Sequence, residues 1–363
     1  MNVVFAGGGT GGHLYPAIAI ADALRESDGA NVTFVGVADR LEATIVPAAG
    51  YRLETVPSRP LGSSLARVVA VNAAGVARSW GLLSGLRPDL VIATGGYVCF
   101  PVVTAARMRR SAGATRAPIA LLELNVKPGL TNRTLAPLVD EIWGAFPVDD
   151  PRLARKYVQT GVPVRAAIRT LPPRAQAVAR FGLDPARKTL LAMGGSQGAR
   201  SINAAVRSLL EQGGLSPQWQ VLLVTGASEW ERWGRGAPAG AVALPYIDDV
   251  AAAYAAADLV LARAGASTLA ELTAAGKPAI LVPYPFAAGD HQTENACRFA
   301  ESGAAVVVSD ADLAASLASV VRDVAVPSQF ERLDAAAKRM RGADALAAVL
   351  ARVHRLTQRK TER

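Results

Sequence analysis

The chain has 363 residues, 51% hydrophobic and 19% charged, with 39 basic against 30 acidic side chains and a formal net charge of +9. That length and apolar content exclude a disordered chain and suffice for about two packed domains. Two cysteines far apart in sequence, Cys99 and Cys297, exclude a disulfide framework and a cysteine metal cluster, and they fit a reducing compartment.

The N-terminus, MNVVFAGGG, has neither the basic start nor the apolar length of a signal peptide. Residues 2–6 read as a buried strand, followed by a glycine loop and a helix from about Leu14. Residues 31–36, 90–94, 118–122 and 141–143 read as further strands, with segments of helical length between them. The longest uncharged run, 90–106, is interrupted by Gly95, Gly96 and Pro101 and is too short to span a membrane. A polar stretch with Pro172, Pro173 and Pro185 follows, and then the same pattern restarts. Strands are predicted at 189–193, 220–225, 259–262, 279–282 and 304–308, with a helix from about Arg200 and a closing helix over 343–356. Strands alternating with helices predict an α/β protein of two doubly wound parallel sheets, with the boundary near Arg165.

Two glycine loops, each leaving a strand and opening a helix, stand out: Gly7-Gly8-Gly9-Thr10-Gly11-Gly12 and Gly194-Gly195-Ser196-Gln197-Gly198. Backbone N–H groups at a helix start, clear of side chains, make an anion site, so both loops are expected to serve phosphate chemistry. The first also satisfies GxGxxG, which would suit a dinucleotide with Asp39 on its ribose, but His13 directly after the last glycine is unusual for that fingerprint. His13 would face a ligand, or simply cap the helix. Thr94-Gly95-Gly96-Tyr97 would be a tight turn or a cleft lining. Glu123 and Asn125, beyond the fourth strand, would be turn residues, or else would assist proton transfer and bind a sugar hydroxyl. Glu271 is expected in the first turn of a helix, either as a dipole-favoured carboxylate or as an acceptor for two ribose hydroxyls. Gln292 and Asn295 share one face of a helix start, where amides suit sugar hydroxyls.

The basic charge concentrates between Arg59 and Arg116, which hold eight arginines and one acid, Asp89. Aromatics are only 6% of the chain and no RNA-binding motif is present, so nucleic acid is not the expected partner. Within 61–86, Leu65, Val69, Val76, Trp80 and Leu83 recur at helical spacing, with Arg67 and Arg78 on another face. These arginines, with Arg107, Arg109 and Arg110, are expected to surround exposed members of Trp80, Leu82 and Leu83 and to dock on an anionic membrane surface.

In chain order, GGGTGGHLYP at 7–16, TGGYV at 94–98, PGLTNR at 128–133, GGSQGARSIN at 194–203, IDD at 247–249, RAGASTLAE at 263–271 and DHQTENA at 290–296 resemble the MurG family. These are UDP-N-acetylglucosamine transferases that act on lipid I in peptidoglycan synthesis. The resemblance implies a GT-B fold, with an acceptor- and membrane-side domain over 1–165, a UDP-sugar domain over 166–343, and a final helix, 344–363, returning to the first. It implies inverting transfer of GlcNAc from UDP-GlcNAc to the MurNAc C4 hydroxyl of lipid I, giving lipid II, without cofactor or metal. It also implies a peripheral place on the cytoplasmic face of the inner membrane. Its donor contacts map onto Thr10, Gly11, Gly12, Asn125, Arg165, Ser196, Ile247, Ala266, Ser267, Thr268, Leu269, Ala270, Glu271 and Gln292, and Asn295, on the same helix face as Gln292, is a further candidate. His13 is the favoured general base and Glu123 the runner-up. The sequence departs from the family at Leu122 and Leu124, where the family carries His and Gln, and at Val162, where it carries Asn. The competing readings are a nicotinamide oxidoreductase, a non-catalytic membrane or nucleic-acid module, a related transferase with another lipid acceptor, and a UDP-GlcNAc epimerase.

Overall fold

Continuous aliphatic runs closed by glycine or a polar residue become strands buried on both faces, as a parallel sheet covered by helices requires. In the computed structural model, which describes residues 1–60, 65–148, 150–195, 198–233, 238–342 and 344–361, the chain forms two compact units. The first comprises Met1–Arg165 and Asp344–Arg363, the second Ala166–Ala343. Side chains at 65, 232, 288 and 359–361 are outside the description.

The first unit holds β1 (Asn2–Gly7), β2 (Asn31–Gly36), β3 (Arg52–Thr55), β4 (Leu90–Gly95), β5 (Ile119–Glu123), β6 (Glu141–Gly144) and β7 (Tyr157–Gln159), in the order 3-2-1-4-5-6-7. The second holds β8 (Lys188–Met193), β9 (Trp219–Val224), β10 (Ala241–Leu244), β11 (Leu259–Ala262), β12 (Ala279–Leu281) and β13 (Ala305–Val307), in the order 10-9-8-11-12-13. All pairings are parallel, with Val3 level with Val32 on one side and Leu90 on the other. The strand order reverses beside β1 and beside β8. A reversal splays the loops at the strands' carboxyl ends, and ligands of open α/β sheets bind there.

The predicted strands agree with the observed ones to within one residue at each end. Three strands were not predicted: β3, β7 and β10. Each is a sheet edge of three or four residues with partly exposed side chains, so it has no buried apolar run to reveal it. The first helix begins at Gly11 rather than near Leu14, so Gly11 and Gly12 lie in its first turn. Among the described residues, no helix is long and apolar enough to cross a membrane.

The last helix, Ala345–Thr361, belongs to the first unit. It buries Leu346, Val349, Val353 and Leu356, a helical stripe, and packs on the helix Gly11–Asp28. Its Arg352 guanidinium grips both oxygens of Glu141, and Glu141 Oε2 also accepts from Trp143 Nε1 at 3.0 Å. Gly161 has φ +79°, and a Cβ there would lie 2.9 Å from Ala345 Cβ, so only glycine fits the turn beneath the helix start.

Val349→Asp should lower the unfolding free energy by about 3 kcal/mol or more, because it buries an unpaired carboxylate. Arg355→Ser, at an exposed position of the same helix, should change it by less than about 0.5 kcal/mol. Urea unfolding midpoints check both.

Candidate functional site

At the carboxyl end of β1 the chain turns through Gly9, with φ +84°, and enters the helix Gly11–Asp28 through an extended Thr10. The loop is held from two sides. On one side Glu42, only 1% exposed, accepts from Gly9 N at 2.9 Å and from Val37 N at 3.0 Å. On the other, a Cβ at Gly96 would come within 2.7 Å of Gly8 O, so the loops after β1 and β4 touch backbone to backbone. The Gly9 N–H is therefore occupied by a carboxylate, while Gly11 and Gly12 lie in the first turn of the helix. Asp39, the ribose acid of the dinucleotide reading, is exposed.

His13 sits in the first turn of the helix. Its Nδ1 lies 2.9 Å from Thr94 O. A carbonyl only accepts, so Nδ1 carries the proton and Nε2 is the basic nitrogen of the ring. Gly95, with φ +110°, makes room for this, because a Cβ there would overlap the imidazole. The Cys99 thiol braces the same place, 3.2 Å from Ala6 O and 3.1 Å from Gly95 O. Burial pushes its pKa up to about 12, so it is no nucleophile.

Glu123 ends β5 and is buried. Its oxygens accept from Asn125 N (3.0 Å), Gly129 N (3.2 Å) and Asn132 Nδ2 (2.7 Å). Asn132 also reaches Leu122 O at 3.2 Å. Glu123 thus organises the loop that carries Asn125. Leu122, Leu124 and Val162, the three departures from the family pattern, are buried apolar side chains. Arg165 lies 4.7 Å over the Tyr15 ring.

In the second unit, the loop after β8 leads to the helix Arg200–Glu211. Ser196 lies outside the described residues. Gly198 has φ +76° and packs against Thr225 O, which also accepts from Asn203 Nδ2 at 2.9 Å. Arg263, at the end of β11, binds Asp310 Oδ1 at 2.5 Å, Ser201 Oγ at 2.9 Å and Pro283 O at 3.2 Å, tying four segments together. The helix Ala266–Ala275 starts five residues before Glu271, so Glu271 lies in the second turn and gains little from the helix dipole. It is part-buried, and Tyr254 Oη donates to its Oε2 at 3.1 Å from a fully buried ring. Ala266, Ser267, Thr268 and Ala270 are part-exposed, whereas the Leu269 side chain is in the core. Ile247 is buried, and Gln292 Oε1 accepts from Tyr284 N at 3.0 Å. Asn295 does not share the exposure of Gln292. It is fully buried, with Nδ2 3.4 Å from Ala264 O, and it braces the loop before the helix instead of facing a sugar.

Residues 3–143 match the N-terminal domain of glycosyltransferase family 28, and residues 189–349 match its C-terminal domain. The chain is 43% identical over 332 residues to a Chlorobium luteolum protein named UDP-N-acetylglucosamine–N-acetylmuramyl-(pentapeptide) pyrophosphoryl-undecaprenol N-acetylglucosamine transferase, covering 86% of this chain and 87% of that one. It is 39% identical to the Chlorobium limicola protein of the same name, over 99% of this chain and all of that one. The crystal structure of Acinetobacter baumannii MurG matches with a TM-score of 0.75 at 26% identity, over 98% and 99% of the two chains. The chain belongs to the MurG family.

For a MurG-family enzyme the basic surface needs correction. Leu83 is 2% exposed and part of the core. Arg109 is 9% exposed, donates to Ser84 Oγ and lies 5.3 Å over the Trp80 ring. Arg110 pairs with Asp140 at 2.6 Å, and Arg107 is part-buried. Trp80 and Leu82 pack on the core and are partly covered. Arg67 and Arg78 remain exposed, on the helix Leu65–Leu86. A shallow groove of about 670 Å³ runs between Arg52 and Arg78, floored by Ala77, Gly81, Gly85 and the flank of Leu82. Sequence reasoning had passed over Glu42 and had not singled out Asn132 within its motif. Only for Asn132 was a signal present.

Burial holds the Glu123 carboxyl above its ordinary range despite the surrounding N–H donors. A carboxyl raised in the folded state adds stability that is complete below its unfolded pKa and lost as pH rises through the folded one. Glu123→Gln removes that titration. The stability margin of the wild-type chain over Glu123→Gln should narrow as pH rises above about 4 in urea unfolding. A margin that widens would mean that the carboxylate is held ionised.

Proposed function

We propose that this chain transfers N-acetylglucosamine from UDP-N-acetylglucosamine to the C4 hydroxyl of the N-acetylmuramyl unit of lipid I, with inversion, to give lipid II and UDP. The observation that carries this reading, in a chain of this family, is the His13–Thr94 hydrogen bond, which leaves Nε2 as the ring's base at the carboxyl end of β1. Nε2 takes the proton of the acceptor hydroxyl, whose oxygen bonds to the anomeric carbon as the bond to UDP breaks. The charge growing on UDP is met by the N–H groups at the start of the twelve-residue helix Arg200–Glu211. Glu123 does not suit the base role: it is buried and both its oxygens already accept.

The second unit offers the donor contacts: the Ile247 backbone for uracil, Glu271 for the ribose hydroxyls, the start of the helix Ala266–Ala275 for phosphate, and Gln292 for the sugar. Incubation with UDP-GlcNAc and a lipid I analogue should yield the disaccharide by mass spectrometry. His13→Ala should lower kcat by roughly a hundredfold or more and leave UDP affinity unchanged. Loss of UDP affinity with kcat retained would make His13 a phosphate ligand instead. Glu271→Ala should weaken UDP in calorimetry, and unchanged affinity would remove the ribose assignment.

A lipid acceptor requires the first unit to visit the membrane, which we place at the cytoplasmic face of the inner membrane. The exposed Arg67 and Arg78 support this, each basic residue contributing about 1 kcal/mol at an anionic surface. Co-sedimentation with phosphatidylglycerol vesicles should fall with salt and with Arg67→Ser plus Arg78→Ser. Binding indifferent to both would leave these arginines as ordinary soluble surface.

A further inference from the structure

We propose that Glu42 is a positioning residue for the transfer step, fixing the first glycine loop and through it the direction of His13. This rests on His13 being the base.

Glu42 is the first residue of the short helix Glu42–Ala48 and is buried to 1% exposure. Among the described residues it has no cationic partner; its oxygens go to two backbone amides, Gly9 N and Val37 N. A buried carboxylate without a counter-ion is costly, and a neutral side chain of the same shape would avoid that cost. Glutamine has this shape but only one acceptor oxygen. The two oxygens of Glu42 serve two different loops, the one after β1 and the one after β2, so the carboxylate does what glutamine cannot.

The surroundings are cut to admit it. A Cβ on Gly8 would overlap its carboxylate, and a Cβ on Gly36 would lie 2.6 Å from its Cγ. Gly9 itself has a positive φ and open space where a side chain would be, so its N–H bond to Glu42 is the tie on that side of the loop. Four residues on, His13 is fixed on the opposite side by Thr94 O, with Gly95 and Gly96 packed against His13 and Gly8. The loop is therefore stretched between Glu42 and the end of β4, and the imidazole takes its direction from both anchors. Releasing one anchor lets the loop, and Nε2 with it, move by a fraction of an ångström or more, which proton transfer does not tolerate.

The test compares Glu42→Gln, Glu42→Asp, His13→Ala and the double variant Glu42→Gln/His13→Ala, with rates normalised to UDP-binding sites counted by calorimetry. Glu42→Gln should lower kcat by about tenfold to a hundredfold. UDP affinity should stay within about twofold of wild type. In the His13→Ala background the same change should alter kcat by less than about twofold, since it acts through a ring that is gone. A purely structural role would lower the melting temperature and leave kcat per UDP site intact; that result, in whichever of Glu42→Gln and Glu42→Asp folds, overturns the proposal. So does a full additional loss in the double variant. Unchanged kcat in His13→Ala alone would instead defeat the base assignment, and that arm is read independently of Glu42.

Discussion

Backbone amides at the ends of parallel strands have no ladder partner, and in both sheets acidic side chains from neighbouring elements accept from them. At the amino ends, the acid directly before one strand reaches the first residues of the strand beside it. Asp89 accepts from Asn2 N at 2.8 Å, Asp140 from Ile119 N at 2.8 Å, and Asp258 from Thr189 N at 2.8 Å. At the carboxyl ends of the first sheet, Glu42 and Glu123 accept from backbone amides of the loops after β1, β2 and β5. The loop geometry, and everything placed on it, depends on these carboxylate–amide bonds.

The two sheet edges differ in how the acids are neutralised. Asp140 pairs with Arg110, and Asp258 with Arg174 at 3.2 Å. Glu42 and Glu123 are held by N–H donors, without an arginine among their described partners. Guanidinium groups at the amino ends are thereby spent on architecture. In the first unit Arg165 lies on the Tyr15 ring instead. In the second sheet the bolt is a cation instead: Arg263 gathers Asp310, Ser201 and two carbonyls at the end of β11.

Much of this was legible in the sequence, for a definite reason. A buried parallel strand is mostly apolar, and a tight turn with φ above zero favours glycine, as at Gly9, Gly95 and Gly198, so β1, β4, β8 and their loops announce themselves. Edge strands such as β3 and β10 are half-exposed and carry no such mark. Glu42 was illegible because its key partner, Gly9, is 33 residues away and its own neighbours read as an ordinary helix start. Helical spacing shows that the helix Leu65–Leu86 has an apolar stripe that includes Leu83, but not that Leu83 is buried in the core. Nor could charge density show that Arg109 would lie along Trp80 and bond Ser84 rather than face solvent. Period identifies a face; only the neighbouring helix decides which side is covered.

The departures at positions 122 and 124 follow from the same strand geometry. Glu123 ends β5 and turns its carboxylate toward the Asn125–Asn132 segment. The side chain of Leu122, next to it in the strand, points the other way, and Leu122 and Leu124 are both buried. A histidine at 122 would have to place an imidazole in that core, where burial disfavours its charged form. The leucine is buried instead, while its carbonyl still accepts from Asn132. Position 122 can therefore change from polar to apolar without disturbing the Glu123 cluster, because that cluster uses the backbone at 122 and not its side chain.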